Sequence, residues 1–426
     1  MKVVCFGPGP QFKGGISNYN TSLAKAFDRV EGCETHIVSW TQQYPAIIPR
    51  EFVDKSSKTD LLDGTDIQVK YITNYNKPVT WRETVNYIKT LNPDMVIFQW
   101  SIAVQGIPLG WIARKLKKES NIEVIFDLHF VIQKENSKLD RILTRYGITK
   151  ADTYIVHALK THRELVELFP KKSLHLTEKG ERAETTAQTV IKLYHPVYDL
   201  FRPNPDFNVA AFKEEHGLKE NVFLFFGFIR KYKGLHNVIR AFRLLANERN
   251  DVSLLVCGES FWQTLDNTKW STKVKNFLFG IAKSIFLRKQ DDERDYRPLE
   301  LIEELDLSDE TMIVNEFVAN EDVHKYFQVS DAIVLYYLTA TPSGVESLSY
   351  NFKLPVLATR VGHFPETIED GFNGYLAEPE DIRSMANLMH RFLDEPIDRD
   401  NVAKSAKEMS WDNYVKAISN RSFEGN

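Results

Sequence analysis

Cysteine is scarce: Cys5, Cys33 and Cys257 are the only three in 426 residues, and they lack the paired spacing of a zinc site or a disulfide framework. Two of them lie in apolar runs, where a free thiol behaves as a small buried hydrophobe, and a reducing cytoplasm is the expected compartment. No run of about 18 apolar residues occurs, which excludes a spanning helix. Met1 leads almost directly into the run KVVCF, so no secretory leader is expected. Basic excess is missing as well: the formal net charge is −4, and no nucleic-acid partner is expected. The GxGxxG dinucleotide fingerprint is absent, and so is a DxD-like acidic pair at a strand end; Asp291-Asp292 falls in a charge run. Neither a metal nor a cofactor is therefore expected.

What is present is a long alternation of apolar runs and amphipathic segments, the pattern of an α/β fold with parallel sheets flanked by helices. The length calls for about two domains of about 150 to 200 residues each. In the first half the strands are read at Lys2–Phe6, Thr35–Trp40, Ile67–Tyr71, MVIFQW, VIFDLHF and TYIVH. Helices are read after the first strand (Ile16, Tyr19, Leu23 and Phe27 on one face), at Trp81–Thr90, at Ile107–Leu116 and at Leu139–Tyr146. His195-Pro196 and the polar stretch Pro203 to Pro205 break regular structure, which sets a first domain at 1–200 and a second at 201–408. The second half restarts with NVFLFFG, the helix LHNVIRAFRLLA, VSLLVCG, TMIVNEF and a short helix at Asn320–Phe327 with Asn320 as its cap.

Four features point to chemistry. Gly14-Gly15 lies between a strand and a helix, where absent side chains let a phosphate reach backbone N–H groups; a flexible turn is the alternative. Arg230, Lys231 and Lys233 cluster at a second strand-to-helix turn, suited to a diphosphate. Asp331 to Gly374 reads as strand, a small-residue turn with Ser343, Gly344 and Val345, helix and strand, a second phosphate cradle. His129 ends a buried strand, the place where open α/β sheets bind ligands, whereas His157 and His162 are read as packing and surface residues. The basic, aromatic segment 262–289 reads either as a helix lying on a membrane surface or as one packed on its own domain.

Taken together and in order, GGISNY, FFGFIRKYKGL, TPSGV…KLPVLATRVGHFPETIEDGFNGYL and SWDNYVKAI resemble the retaining glycosyltransferases of family 4 across nearly the whole chain. The resemblance implies the GT-B architecture, two Rossmann-like domains facing across a cleft, with 409–426 as a helix crossing back to the first domain. It places Gly14, Gly15, Arg230, Lys233, Ser343, Gly344 and Val345 on the donor diphosphate, and Phe317 and Glu346 at the nucleoside. His129, Arg230 and Lys233 take the catalytic positions, His129 on the transferred sugar. One departure stands out: the family's usual glutamate pair falls on Ala340 and Leu348 here, which marks a subgroup with a T-x-S-G-V turn in that place.

The implied activity is metal-independent transfer of a hexose, with retention, from a nucleoside diphosphate sugar to a glycan or lipid-linked glycan. A role in bacterial surface polysaccharide synthesis follows, with a cytoplasmic location and peripheral contact at the inner membrane face. Two other readings stay open: a non-catalytic GT-B subunit, motivated by the missing glutamates, and a sugar-nucleotide epimerase.

Overall fold

The computed structural model describes residues 1–44, 53–55, 57–58, 60–132, 138–183, 187–260, 296–342 and 344–420. The segment 262–289 and Ser343 lie outside the described residues. Two all-parallel sheets organise the chain. The first holds β1 (Lys2–Phe6), β2 (Glu34–Gln42), β3 (Gln68–Asn74), β4 (Met95–Trp100), β5 (Glu123–Leu128), β6 (Thr153–Val156), β7 (Leu174–Thr177) and β8 (Gln188–Lys192), in the order β3-β2-β1-β4-β5-β6-β8-β7. The second holds β9 (Asn221–Phe226), β10 (Val252–Cys257), β11 (Thr311–Val314), β12 (Ala332–Leu335), β13 (Val356–Thr359) and β14 (Gly374–Ala377), in the order β11-β10-β9-β12-β13-β14.

The central strands are apolar on both faces because helices cover both. Every residue of Met95–Trp100 and of Val252–Cys257 is buried, as an interior strand of a parallel sheet requires. Helices start where a side chain can take an orphan N–H: Asp381 accepts from Ser384 N at 3.0 Å, and Ser410 from Asn413 N at 3.3 Å. Asn320 is not such a cap. It lies inside a 3₁₀ turn, and the helix Val323–Gln328 begins after Asp322 without a side-chain cap bond.

Strands β7 and β8 and the helices Leu159–Leu168, Val209–Glu215 and Arg399–Glu408 go beyond the elements read from the sequence. Their signals are weak for a physical reason. Val209–Glu215 buries no residue and Arg399–Glu408 buries only Val402 and Ser405, so neither carries an apolar stripe. Among the described residues no helix is long and apolar enough to cross a membrane.

The last helix, Trp411–Ser419, packs on the helix Gly15–Asp28 beside the first sheet. Arg182 ties it down, donating from Nη2 to Ile418 O at 2.9 Å while its Nε meets Glu123 Oε1 at 2.9 Å. The two halves are also joined where His195 Nδ1 meets Ser347 Oγ at 2.8 Å and where Val197 N donates to Met409 O.

Candidate active site

Each sheet has a central place where the winding direction reverses: between β1 and β4 in the first, and between β9 and β12 in the second. Crevices outside the carboxyl ends of such strands are the ligand sites of open α/β sheets. Here the two crevices meet. A cavity of about 220 Å³ is lined by Gly14, Gly15 and Asn18 after β1, by Gly227, Phe228, Tyr232 and Lys233 after β9, and by Gly344, Val345 and Leu348 after β12. Gly258 and Glu259 after β10, and Glu316 to Val318 after β11, close the far end.

Local sequence sets each wall. Gly14 stands at φ 108° just before the helix Gly15–Asp28 and caps it with no side chain; Ser17 N and Asn18 N turn back to Gly14 O, and Gly15, which opens the helix, lines the cavity. Lys233 is 7% exposed and lies in the 3₁₀ turn Lys231–Lys233. Its ammonium fits there because position 227 has no side chain: a Cβ on Gly227 would come within 2.8 Å of Lys233 Nζ, and the φ of 91° disfavours any other residue. Gly344 opens the helix Gly344–Asn351 against the ring of Tyr198, where an added Cβ would sit 2.0 Å from Cε2. Tyr198 in turn donates to Gly15 O at 2.7 Å. One linker tyrosine thus sits between the two glycine walls.

Of the residues expected at the diphosphate, the structure brings Gly14, Gly15, Lys233, Gly344 and Val345 to one cavity. Phe317 is also on its wall, with Lys13 Nζ 4.7 Å from its ring centre. Arg230 is not. Its guanidinium lies 5.4 Å from the Tyr232 ring, outside the lining, because Arg230 precedes the tight turn that swings Lys233 inward.

Glu346, expected at the nucleoside, does not line the cavity. It is 4% exposed and occupied elsewhere: Oε2 meets His363 Nε2 at 2.5 Å, and Oε1 accepts from Thr367 Oγ1 at 2.5 Å and Tyr350 OH at 3.4 Å. The residue that reaches the wall is Leu348, two positions on and on a different face of the helix, where the family pattern has a glutamate.

His129 lies behind the wall in a buried cluster. Its Nε2 meets Gln99 Oε1 at 2.8 Å, and its ring packs edge-on to Tyr19 at 4.8 Å and beside His157 at 5.5 Å. Burial pushes its pKa down to about 4 despite the nearby Asp127 carboxylate, so the imidazole is neutral at pH 7. His157, read from the sequence as packing, pairs with Asp127 Oδ1 at 2.8 Å. Burial works against charge on Asp127, but His157, His129 and the Tyr19 hydroxyl outweigh it and hold its pKa low, at about 2.

Asn18, Tyr198, Glu259 and Glu316 also line the cavity and are not singled out by the sequence; Phe228, which stands where the family usually has an arginine, lines it too. Asn18 falls one helical turn after Gly14-Gly15, and Glu259 directly follows the glycine that ends the run VSLLVCG, so their positions relative to the glycines were a readable signal. Tyr198 had none, since its place depends on how the linker crosses between the sheets. Among the described residues no group of three or more His, Cys, Asp or Glu is placed to hold a metal ion.

Comparison with known proteins agrees with this geometry. Residues 206–409 match the family model described as "Glycosyl transferases group 1". The N-acetyl-alpha-D-glucosaminyl L-malate synthase of Bacillus anthracis is 25% identical over 255 residues, covering 55% of this chain and 56% of that protein. The D-inositol 3-phosphate glycosyltransferase of Thermobifida fusca (strain YX) is 33% identical over 100 residues, 20% of this chain and 23% of that protein. The chain thus spans about half or less of the length of these curated relatives. Among solved structures, Anabaena Alr3699/HepE in complex with UDP and glucose superposes with a TM-score of 0.62 at 14% identity, covering 98% of this chain and 97% of that one. The chain has the GT-B architecture of two parallel, helix-flanked sheets, and residues 206–409 within its second half are similar to the group 1 glycosyl transferases.

Proposed function

We propose that this protein is a retaining glycosyltransferase that moves a hexose from a nucleoside diphosphate sugar to a hydroxyl of a glycan or lipid-linked glycan, in the synthesis of a bacterial surface polysaccharide. The observation that carries the reading is the single cavity in which the glycine-opened start of the Gly15–Asp28 helix, the buried Lys233 and the start of the Gly344–Asn351 helix converge. All three favour an anion, and they come from three separate strand ends.

In the transfer, the bond between the anomeric carbon and the diphosphate oxygen breaks, and the acceptor oxygen bonds to the same face of that carbon. The acceptor proton passes to the leaving phosphate. Negative charge grows on the diphosphate as the bond lengthens, and Lys233 with the two sets of helix N–H groups is fixed in place to stabilise it. This charge supply lets the reaction run without a divalent metal. His129 acts from behind the wall, holding the strand end beside the sugar's place through Gln99 rather than serving as the base, since an imidazole with a pKa of about 4 holds a proton poorly at pH 7. Phe317 frames the nucleobase, and Glu259 and Glu316 are the carboxylates on hand where the glutamate pair is replaced by Ala340 and Leu348.

The HepE structures contain UDP, UDP and glucose, or UDP-glucose, which makes UDP the first ligand to try. The test pairs calorimetric binding of UDP and GDP with turnover of labelled sugar nucleotides, in chelator and with and without acceptor. Binding with transfer supports the proposal. Binding with no turnover on any donor points to the non-catalytic subunit that Ala340 and Leu348 suggest. Turnover of the donor alone to an isomer points to an epimerase.

A further inference from the structure

Residues 53–55, 57 and 58, between β2 and β3, join the two loops that wall the cavity at its opposite ends. At one end Val53 pairs with Phe12 in an antiparallel bridge and Asp54 N donates to Gln11 O at 2.8 Å, which fixes the stretch to the loop that runs on into Gly14 and Gly15. Asp54 Oδ1 then accepts from Ser57 N at 3.1 Å and turns the chain toward the second half. At the other end Ser57 Oγ accepts from Asn320 N at 3.2 Å, and Glu321 Oε1 accepts from Lys58 N at 3.3 Å.

These last two bonds are reciprocal. Asn320 opens the 3₁₀ turn Asn320–Asp322, and the residue before it, Ala319, has no side chain that can cap it. The Asn320 N–H is thus an orphan donor of that turn, and a serine from the other half of the chain takes it. In return the turn offers the Glu321 carboxylate to the backbone of the residue after that serine. A capping box makes the same exchange within one helix; here it is split across the cleft. The turn bears on the cavity directly, since Asn320 lines it together with Glu316, Phe317, Val318 and Val323. Lys13, in the glycine loop, adds a second grip on this wall through the Phe317 ring.

We propose that Ser57 and Glu321 lock the far wall of the cavity to the glycine loop and so set how long a nucleotide stays bound, with Ser57 a positioning residue that acts through Asn320. A wall held in place before binding spares the complex the entropy of ordering it, and a nucleotide between tied walls leaves only as the tie opens, so the lock acts on release more than on capture. Both donors are backbone and both acceptors are side chains outside the cavity lining. The lock can therefore be cut on either side without changing a residue that faces the nucleotide. The effect on a nucleotide rests on the proposed function, but the lock itself does not.

The experiment reads the lock and its consequence separately. Hydrogen exchange on the full chain without nucleotide follows the Asn320 and Lys58 amides, both expected to be protected in wild type. Ser57→Ala should speed exchange at Asn320, and Glu321→Ala at Lys58, by about three- to tenfold, the worth of one hydrogen bond. UDP release in stopped flow should quicken by about the same factor in each alanine variant, with the association rate nearly unchanged. Ser57→Thr keeps the hydroxyl and Glu321→Gln keeps an acceptor oxygen, so both should restore slow release, and the urea midpoint should stay at the wild-type value throughout. Unprotected amides in wild type, unchanged UDP release in both alanine variants, or faster release matched by a lowered urea midpoint would each overturn the proposal. Protected amides in a protein that binds neither UDP nor GDP would sink the glycosyltransferase reading and leave the lock standing.

Discussion

The hydroxyl of Tyr414, in the last helix, donates at 3.0 Å to the same Asp127 oxygen that accepts from Tyr19 at 2.8 Å. The carboxylate is fully buried at the end of β5, next to the strand-end residue His129. The chain's C-terminal helix therefore supplies a donor beneath the first sheet's ligand face. Tyr414→Phe should lower unfolding free energy by about 1–3 kcal/mol, the cost of removing a donor from a buried charge. A denaturant midpoint shifted down with an unchanged slope is the expected result; a shift within error would mean that Tyr19 and His157 suffice.

Acid should destabilise the fold before most carboxylates titrate. Burial lowers His129 to about 4 and drives His195 well below its ordinary 6.5, with neighbouring imidazoles adding to the effect. Their folded pKa values lie below the unfolded ones, so the unfolded chain takes up protons first. Stability is then full above pH 6.5 and falls as pH drops from 6.5 toward 4, by up to about 1.4 kcal/mol per pH unit for each histidine. Asp127, also depressed, adds a further loss below about pH 4. His129→Phe should flatten the first part of that curve in urea titrations at stepped pH.

Lys233→Ala should weaken UDP binding about ten- to hundredfold, the worth of a charge-assisted contact in a sheltered site. Arg230→Ala should cost less than Lys233→Ala, because only Lys233 is on the cavity wall. Calorimetry on both variants decides; equal losses would show that Arg230 turns inward when the nucleotide binds.

Gly344→Ala should force the Tyr198 ring from its place, destabilising the protein by about 1–3 kcal/mol and weakening nucleotide binding. Adding Tyr198→Ala removes the clash. The pair should be non-additive by more than about 0.5 kcal/mol in a double-mutant cycle, whereas additivity would mean that the two residues do not press on each other.

Glu346→Ala should act on the fold and hardly on the ligand. It strips His363, Thr367 and Tyr350 of their shared acceptor, for about 1–3 kcal/mol. UDP affinity at a temperature where the variant is folded should stay within about threefold of wild type, less than one contact's worth. A larger loss would restore Glu346 to the nucleoside site.

Much of this was legible along the chain. Buried parallel strands announce themselves as runs apolar on both faces, and glycines at strand-to-helix turns mark where an anion can approach, because both depend on residues within a few positions of each other. Hence β4, β9 and β10, the Gly14-Gly15 turn and the Lys233 turn were all readable locally. The short strands β7 and β8 and the weakly apolar Arg399–Glu408 were not, since contacts elsewhere in the chain hold them. Which of two nearby cations faces the cavity, whether Glu346 points to a ligand or to His363, and the place of Tyr198 between Gly15 and Gly344 were settled only by the tertiary structure. Each depends on the direction of a side chain relative to a segment distant in sequence, and that direction is set by how the two sheets and the linker pack, not by local propensity or spacing.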